Sequence, residues 1–165
     1  MLSKEIRQAL AEYVNQHKNI YTTYALQDNT RDYGLAYSIA YEEVKDFIET
    51  KQKRTFKQVL FHFIDSKNMS DAEIYRKANI DRRHFHKIRS KPDYRPGKST
   101  IIAIALALEL DKNDTITLLN SAGYTLSDSD AFDLVIQFCL EKKIYDIHDV
   151  NLALDFMGLK PLTGC

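Results

Sequence analysis

Apolar residues recur along nearly the whole chain at the three- and four-residue spacing of an amphipathic α-helix. No segment shows the sustained alternation of apolar and polar residues that a half-buried β-strand requires. The sequence therefore predicts an all-α fold. The helical pattern covers residues 2–14, 33–48, 56–64, 72–78, 101–110, 116–119, 132–139 and 147–157.

The uncharged segment 101–108 is predicted to be the central buried helix, with Ile101, Ile104, Ala105 and Leu108 in the core. Its eight apolar residues form the longest such run in the chain, far shorter than the roughly 20 that span a membrane. No apolar core follows the N-terminus. We therefore expect neither a secretory signal nor a membrane partner.

The composition suits an ordinary domain with appended elements, since the 165 residues are 44% hydrophobic and 28% charged. Two cysteines, Cys139 and Cys165, exclude a disulfide framework and an all-cysteine zinc site. They favour a reducing, cytoplasmic setting. Cys139 lies on an apolar stripe and is predicted to be a core thiol.

The charges are segregated along the chain although the net charge is zero. Residues 51–98 hold 14 Lys and Arg against 5 Asp and Glu, whereas both flanking segments are acidic. Such a basic segment indicates an anionic partner. The alternative is that it docks on the acidic ends of its own chain.

Residues 70–90 have the layout of a helix-turn-helix. Ser70 and Glu73 form a capping box for a short helix, and residues 79–81 form a tight turn. Asp81 is a suitable N-cap for a second helix over residues 82–89. Two prolines and a glycine then make residues 91–97 a loop.

The second of these helices is unusually basic. On a helical wheel, Phe85 and Ile88 point inward and cationic residues occupy the outer face. Arginine can pair bidentately with guanine, and both arginine and lysine contact phosphates. The alternative is a solvated cationic face on a structural helix. The candidate DNA-binding residues are Arg82, Arg83, His84, His86, Lys87, Arg89, Lys91 and Arg95.

Residues 69–108 resemble the helix-turn-helix domain of phage repressors and Cro proteins, also called lambda repressor-like. The resemblance is carried by Ser70 to Ile74 at the cap, Ile80 and Asp81 at the turn, Phe85 and Ile88 in the second helix, and Pro96, Thr100, Ile101, Ala105 and Leu108 in a proline-led fourth helix. It implies a five-helix unit over residues 55–122. The chain departs from the family in its enlarged loop 90–98 and in the Arg, His and Lys that replace small base-contacting residues, which favours phosphate-dominated binding.

Two extensions flank this unit. Residues 1–50 are predicted to be a helical N-terminal extension for dimerisation or partner docking, with a basic hinge at residues 50–54. Its stripe of Tyr33, Tyr37, Tyr41, Val44 and Ile48 is expected to pack on the helix-turn-helix unit or on a second copy. The tyrosines could instead form a stacking platform for bases.

Residues 127–160 are predicted to form a C-terminal helical hairpin packed on the five-helix unit. In this hairpin Leu134 and Phe138 are expected to widen the buried face of one helix, and Met157 to lie on the buried face of the other. Residues 71–157 are also similar to C-terminal modules of multidomain bacterial signalling or defence proteins, some of which carry a macrodomain.

No enzymatic motif emerges, and we expect no catalytic residue, cofactor or metal. His84 and His86 are two residues apart on a helix and point away from each other, so they cannot chelate one ion together. Asp128, Asp130 and Asp133 resemble a calcium-ligand run without its glycine turn and trailing glutamate.

These observations predict a bacterial or phage DNA-binding protein, a transcriptional regulator or regulatory module that acts as a homodimer on duplex DNA. The alternative is a protein–protein adaptor or inhibitor in a bacterial or phage stress or defence system, without DNA binding. The neutral overall charge favours the alternative.

Overall fold

The computed structural model describes the backbone of residues 32–163 and the side chains of residues 40–163. Within that range the chain forms helices and no strand, so the all-α prediction is confirmed there. The helix predicted over residues 2–14, the polar stretch 16–31 and Cys165 lie outside the described residues. The helices are α1 (Asp32–Lys51), α2 (Phe56–Lys67), α3 (Asp71–Lys77), α4 (Arg82–Ser90), α5 (Lys98–Ala107), α6 (Lys112–Ser121), α7 (Ala131–Glu141) and α8 (Ile147–Phe156).

No helix in the described part of the chain is both long and apolar enough to cross a membrane.

Contacts between residues divide the chain into two units, Met1–Gln52 and Lys53–Cys165. In the first unit α1 runs to Lys51, so the helix continues into the segment that we predicted to be a hinge. Every side chain from residue 40 to residue 51 is exposed. The side chains of Tyr33 and Tyr37 lie outside the described residues.

The second unit is organised around α5. Ile101, Ile104, Ala105 and Leu108 are completely buried, which confirms the predicted core. The sequence predicts Ser99 or Thr100 as the opening residue of this helix, but the helix begins at Lys98, because Gly97 serves as its N-cap without a capping side chain. Helices α3, α6 and α8 all contact α5.

The sequence predicts that α6 starts at Asn113 or Asp114, with Ile116 and Leu119 facing inward, and the register of α6 differs from this prediction. Asp111 is the N-cap, and its side chain accepts a hydrogen bond from the Asp114 backbone N–H at 2.8 Å. The helix therefore starts before Asn113, and Leu118 and Leu119 are completely buried. Ile116, which we expected to face inward with Leu119, is only half-buried.

Helices α7 and α8 pack against each other, and they contact α6 and α5 respectively. Leu134 and Phe138 are 46% and 54% exposed, so the prediction that they widen the buried face of α7 is wrong. Met157 is also exposed, since α8 ends at Phe156 and leaves it beyond the packed face.

The tail after α8 returns to the rest of the second unit. Leu162 is buried, and its backbone N–H donates to the Asn151 side chain at 2.8 Å. The Asn79 side-chain amide reaches the Thr163 hydroxyl at 3.5 Å. These contacts connect the C-terminal residues to α8 and to the turn between α3 and α4.

Candidate nucleic-acid interface

The segment from α3 to α4 consists of two short helices joined by a tight turn. The predicted capping box is present, because the Ser70 hydroxyl accepts from the Glu73 backbone N–H and the Glu73 carboxylate accepts from the Ser70 backbone N–H. The Ser70 backbone N–H and hydroxyl donate to the Glu73 carboxylate at 2.8 and 2.7 Å, and these two hydrogen bonds hold the pKa of Glu73 below its usual value. Asn79 adopts a left-handed conformation with φ of 50°, which ends α3 and redirects the chain.

Two buried side chains fix the orientation of α4. Phe85 and Ile88 are almost completely buried, as the helical wheel predicts. The Phe85 ring packs against the Tyr75 ring, with 6.2 Å between the ring centroids. With this face held against the core, the cationic face of α4 is directed to solvent.

Asp81 caps the N-terminus of α4. Its carboxylate oxygen Oδ1 accepts hydrogen bonds from the backbone N–H groups of Arg83 at 2.7 Å and His84 at 3.4 Å. The cap therefore holds the first turn of the helix, which also carries two of the candidate arginines.

We expect Asp81→Ala to lower the free energy of unfolding by about 0.5–2 kcal/mol, because two N–H groups lose their acceptor. Chemical denaturation measures this cost. Asp93→Ala provides the matched control, since Asp93 is exposed in the loop after α4 and makes no hydrogen bond or ion pair within the described residues. Equal stability of the two variants would contradict the capping role.

Four candidate residues project into solvent without a partner among the described residues. Arg82, Arg83, His86 and Lys91 are exposed, and their side chains make no hydrogen bond or ion pair to any residue that the structure describes. Arg82, Arg83 and His86 lie on α4, and Lys91 follows its last turn. These four residues are hereafter called the open cationic face.

His84 and Lys87 are instead engaged by the loop that follows the helix. The His84 Nε2 atom and the Tyr94 hydroxyl share a hydrogen bond of 3.0 Å, and their rings meet edge to face. Lys87 Nζ lies 4.1 Å from the centroid of the Tyr94 ring. The enlarged loop is thus folded back against α4, and Tyr94 positions two of the candidate cations.

The Arg89 side chain contacts residues of α2 and α3. Its Nη1 donates to Asp71 Oδ1 at 2.7 Å, and its guanidinium lies 5.0 Å from the centroid of the Phe61 ring. Lys57 Nζ lies 5.7 Å from the same ring. The fold therefore brings a cation of α2 close to the cationic helix, which sequence reasoning missed.

Arg95 is directed away from the other candidates. Its guanidinium lies 4.6 Å from the centroid of the Tyr124 ring, in the segment between α6 and α7. Gly123 allows this approach, because a Cβ there would lie 2.9 Å from Arg95 Nη2. Gly123 also has φ of 74°, so any other residue would be strained.

Several lysines of the second unit outside α4 form ion pairs with carboxylates. Within the described residues, Lys77 pairs with Glu109, Lys112 with Glu141, and Lys98 with Asp133. The Lys112 hydrogen bond holds the pKa of Glu141 below its usual value. Three lysines outside α4 are thus paired with carboxylates, whereas the open cationic face has no carboxylate partner among the described residues.

The aspartates that resemble a calcium-ligand run, Asp128, Asp130 and Asp133, accept hydrogen bonds from groups of the protein. Asp130 accepts from the Asp133 backbone N–H, and Asp128 accepts from the Gln137 side chain. Asp133 is buried and accepts from Lys98 Nζ at 2.5 Å and from the Ser127 backbone N–H at 2.7 Å. Among the described residues, no group of three His, Cys, Asp or Glu side chains could hold a metal ion.

Cys139 is completely buried, and this burial raises the pKa of its thiol. A buried thiol of this kind is unreactive, in agreement with its prediction as a core residue.

Comparison of the chain with known proteins gives no match to a family model, to a curated protein or to a solved structure.

Proposed function

We propose that this chain is a cytoplasmic helix-turn-helix protein of bacterial or phage type that binds duplex DNA through α4 and acts as a regulator or regulatory module. The observation that carries the proposal is the open cationic face. Its arginines, histidine and lysine have no carboxylate partner among the described residues, whereas Lys77, Lys98 and Lys112 in the same unit do. The arginines and the lysine of this face carry the positive charge that complements a phosphate backbone.

The shape of the segment also supports this proposal. A short capped helix, a tight turn and a second short helix with a buried inner face are the parts of a helix-turn-helix. The five helices α2 to α6 span residues 56–121, close to the unit that the repressor resemblance implies.

The candidate residues take different roles in the proposed complex. Arg83 and His86 lie nearest the bases, and Arg82 and Lys91 contact phosphates. Lys87 joins the base-facing group from its position over Tyr94. Arg89 and Arg95 contribute less than the sequence predicts, because protein partners already engage their guanidinium groups.

A second function has its own support. Within residues 53–163 the exposed large apolar side chains all belong to α7 and α8 or the residue directly after α8. An apolar surface of this kind suits an adaptor or inhibitor that binds another protein without contacting DNA.

A duplex-binding assay with random-sequence DNA at two salt concentrations tests the proposal. With the two phosphate contacts of Arg82 and Lys91, raising the salt fourfold, from about 50 to about 200 mM, is expected to weaken binding about 12-fold. Two results would contradict the DNA-binding function and leave the adaptor function in its place. One is the absence of duplex binding at the lower salt concentration, and the other is binding that does not weaken at the higher one.

A further inference from the structure

Helix α1 carries an apolar stripe that nothing in the described part of the chain covers. Tyr41, Val44, Phe47 and Ile48 are each between 52% and 66% exposed. Residues 41, 44 and 48 follow the alternating three- and four-residue spacing of positions a and d in a coiled coil, and Phe47 lies beside them. These three positions are hereafter called the seam.

The charges of α1 are arranged around this seam. Helical geometry places Glu42, Glu43, Asp46 and Glu49 on the side of the helix away from the seam. Lys45 flanks the seam, and Lys51 lies at its next position, three residues after Ile48 and at the last residue of the helix, where a long side chain can direct its ammonium to solvent. Two such helices can therefore bring their apolar sides together without opposing carboxylates.

We propose that α1 pairs with α1 of a second copy of this chain in a two-stranded coiled coil. A second copy fits because a twofold axis places identical stripes against each other, and each apolar side chain then meets an equivalent partner. The same symmetry directs the two acidic sides away from each other. An acidic partner would be repelled by the carboxylates of α1. A basic partner bound at the seam would have to reach around the helix to contact those carboxylates.

The functional meaning of this pairing rests on the proposed function, since two linked copies would present two α4 surfaces to one duplex. Helix-turn-helix dimers gain affinity by binding paired half-sites about one DNA turn apart. The pairing itself is measured without DNA, so it can fail or succeed independently of duplex binding.

Sedimentation equilibrium of the full chain under reducing conditions tests the pairing. In the high micromolar range we expect twice the chain mass of 19.1 kDa, with a shift toward the single-chain mass on dilution. The double variant Val44→Gln/Ile48→Gln places amides in the seam and is expected to remain monomeric. Glutamine has at least the helix propensity of valine and isoleucine, so the substitutions do not disfavour the helix itself.

The matched control is Glu42→Gln/Glu49→Gln, which introduces the same side chains on the side away from the seam. This control is expected to dimerise like the parent. A parent that stays monomeric, a dimer that survives the seam substitutions, or a control that dissociates equally would overturn the proposal.

Duplex binding by the same proteins separates this inference from the proposed function. A monomeric parent that still binds duplex DNA overturns only the pairing. A dimer that responds to the seam variant but does not bind duplex DNA upholds the pairing and contradicts the proposed function.

Discussion

Replacing Leu108 with alanine is expected to lower the free energy of unfolding by about 2–5 kcal/mol, because a completely buried leucine leaves a cavity that its neighbours fill only in part. Leu108 directly follows α5, and its backbone N–H donates to the Ile104 carbonyl oxygen at 3.0 Å. The side chain is thus held at the end of the central helix. Urea denaturation monitored by circular dichroism measures the loss.

Leu152→Ala supplies the control for this prediction, since it is the same substitution at a site on α8 that is 54% exposed. Its cost is expected to stay within about 0.5 kcal/mol of zero, as for most surface substitutions. If both variants unfold at the parent's denaturant concentration, α5 is not the centre of the core.

Reversing the charges of Arg82 and Arg83 is expected to weaken duplex binding by at least about tenfold at low salt. Both side chains belong to the open cationic face, and each glutamate replaces an attraction to the negatively charged duplex with a repulsion. Because fewer counterions are then released, the slope of log affinity against log salt is also expected to fall by about one ion for each phosphate that the variant no longer neutralises. Fluorescence anisotropy with a labelled duplex gives both quantities.

The control for charge alone is the double variant Lys143→Glu/Lys160→Glu. It changes the net charge by the same amount at two exposed positions outside α4. We expect its affinity to stay close to that of the parent. If both double variants lose affinity equally, binding depends on the overall charge and not on α4. If neither variant loses affinity, the surface is misassigned.

The sequence predicts well those features that depend on neighbouring residues. The capping box of Ser70 and Glu73, the Asp81 cap and the inward direction of Phe85 and Ile88 all follow from local spacing, and the structure contains each of them. The uncharged segment 101–108 is likewise buried, because no other segment could enter a core with so little polar surface.

The sequence does not predict which apolar residues remain uncovered. Leu134 and Phe138 have the same side-chain chemistry as the buried Ile136 and Leu140. Their exposure depends on how α7 lies against α6 and α8. Helix periodicity identifies an apolar face, but it does not say how much of that face the neighbouring helices cover.

The partners of the candidate cations are also set by the tertiary fold. Arg89 finds Asp71 on α3 and Phe61 on α2, and Arg95 finds Tyr124 from the segment after α6. These partners lie 18 or more residues away in the sequence. A helical wheel shows the direction of a side chain on its own helix, and it contains no information about these tertiary partners.

The buried side chains from Val59 to Leu162 form one continuous cluster, with α5 in contact with α3, α6 and α8. Separating the C-terminal hairpin, α7 and α8, from the other helices would therefore be unfavourable, because it would expose apolar side chains of α5 to water. We accordingly expect residues 53–163 to unfold as a single cooperative unit, in which a ligand bound at α4 would stabilise α7 and α8 as well. Regulation of this chain by release of its C-terminal part would require global unfolding of that unit.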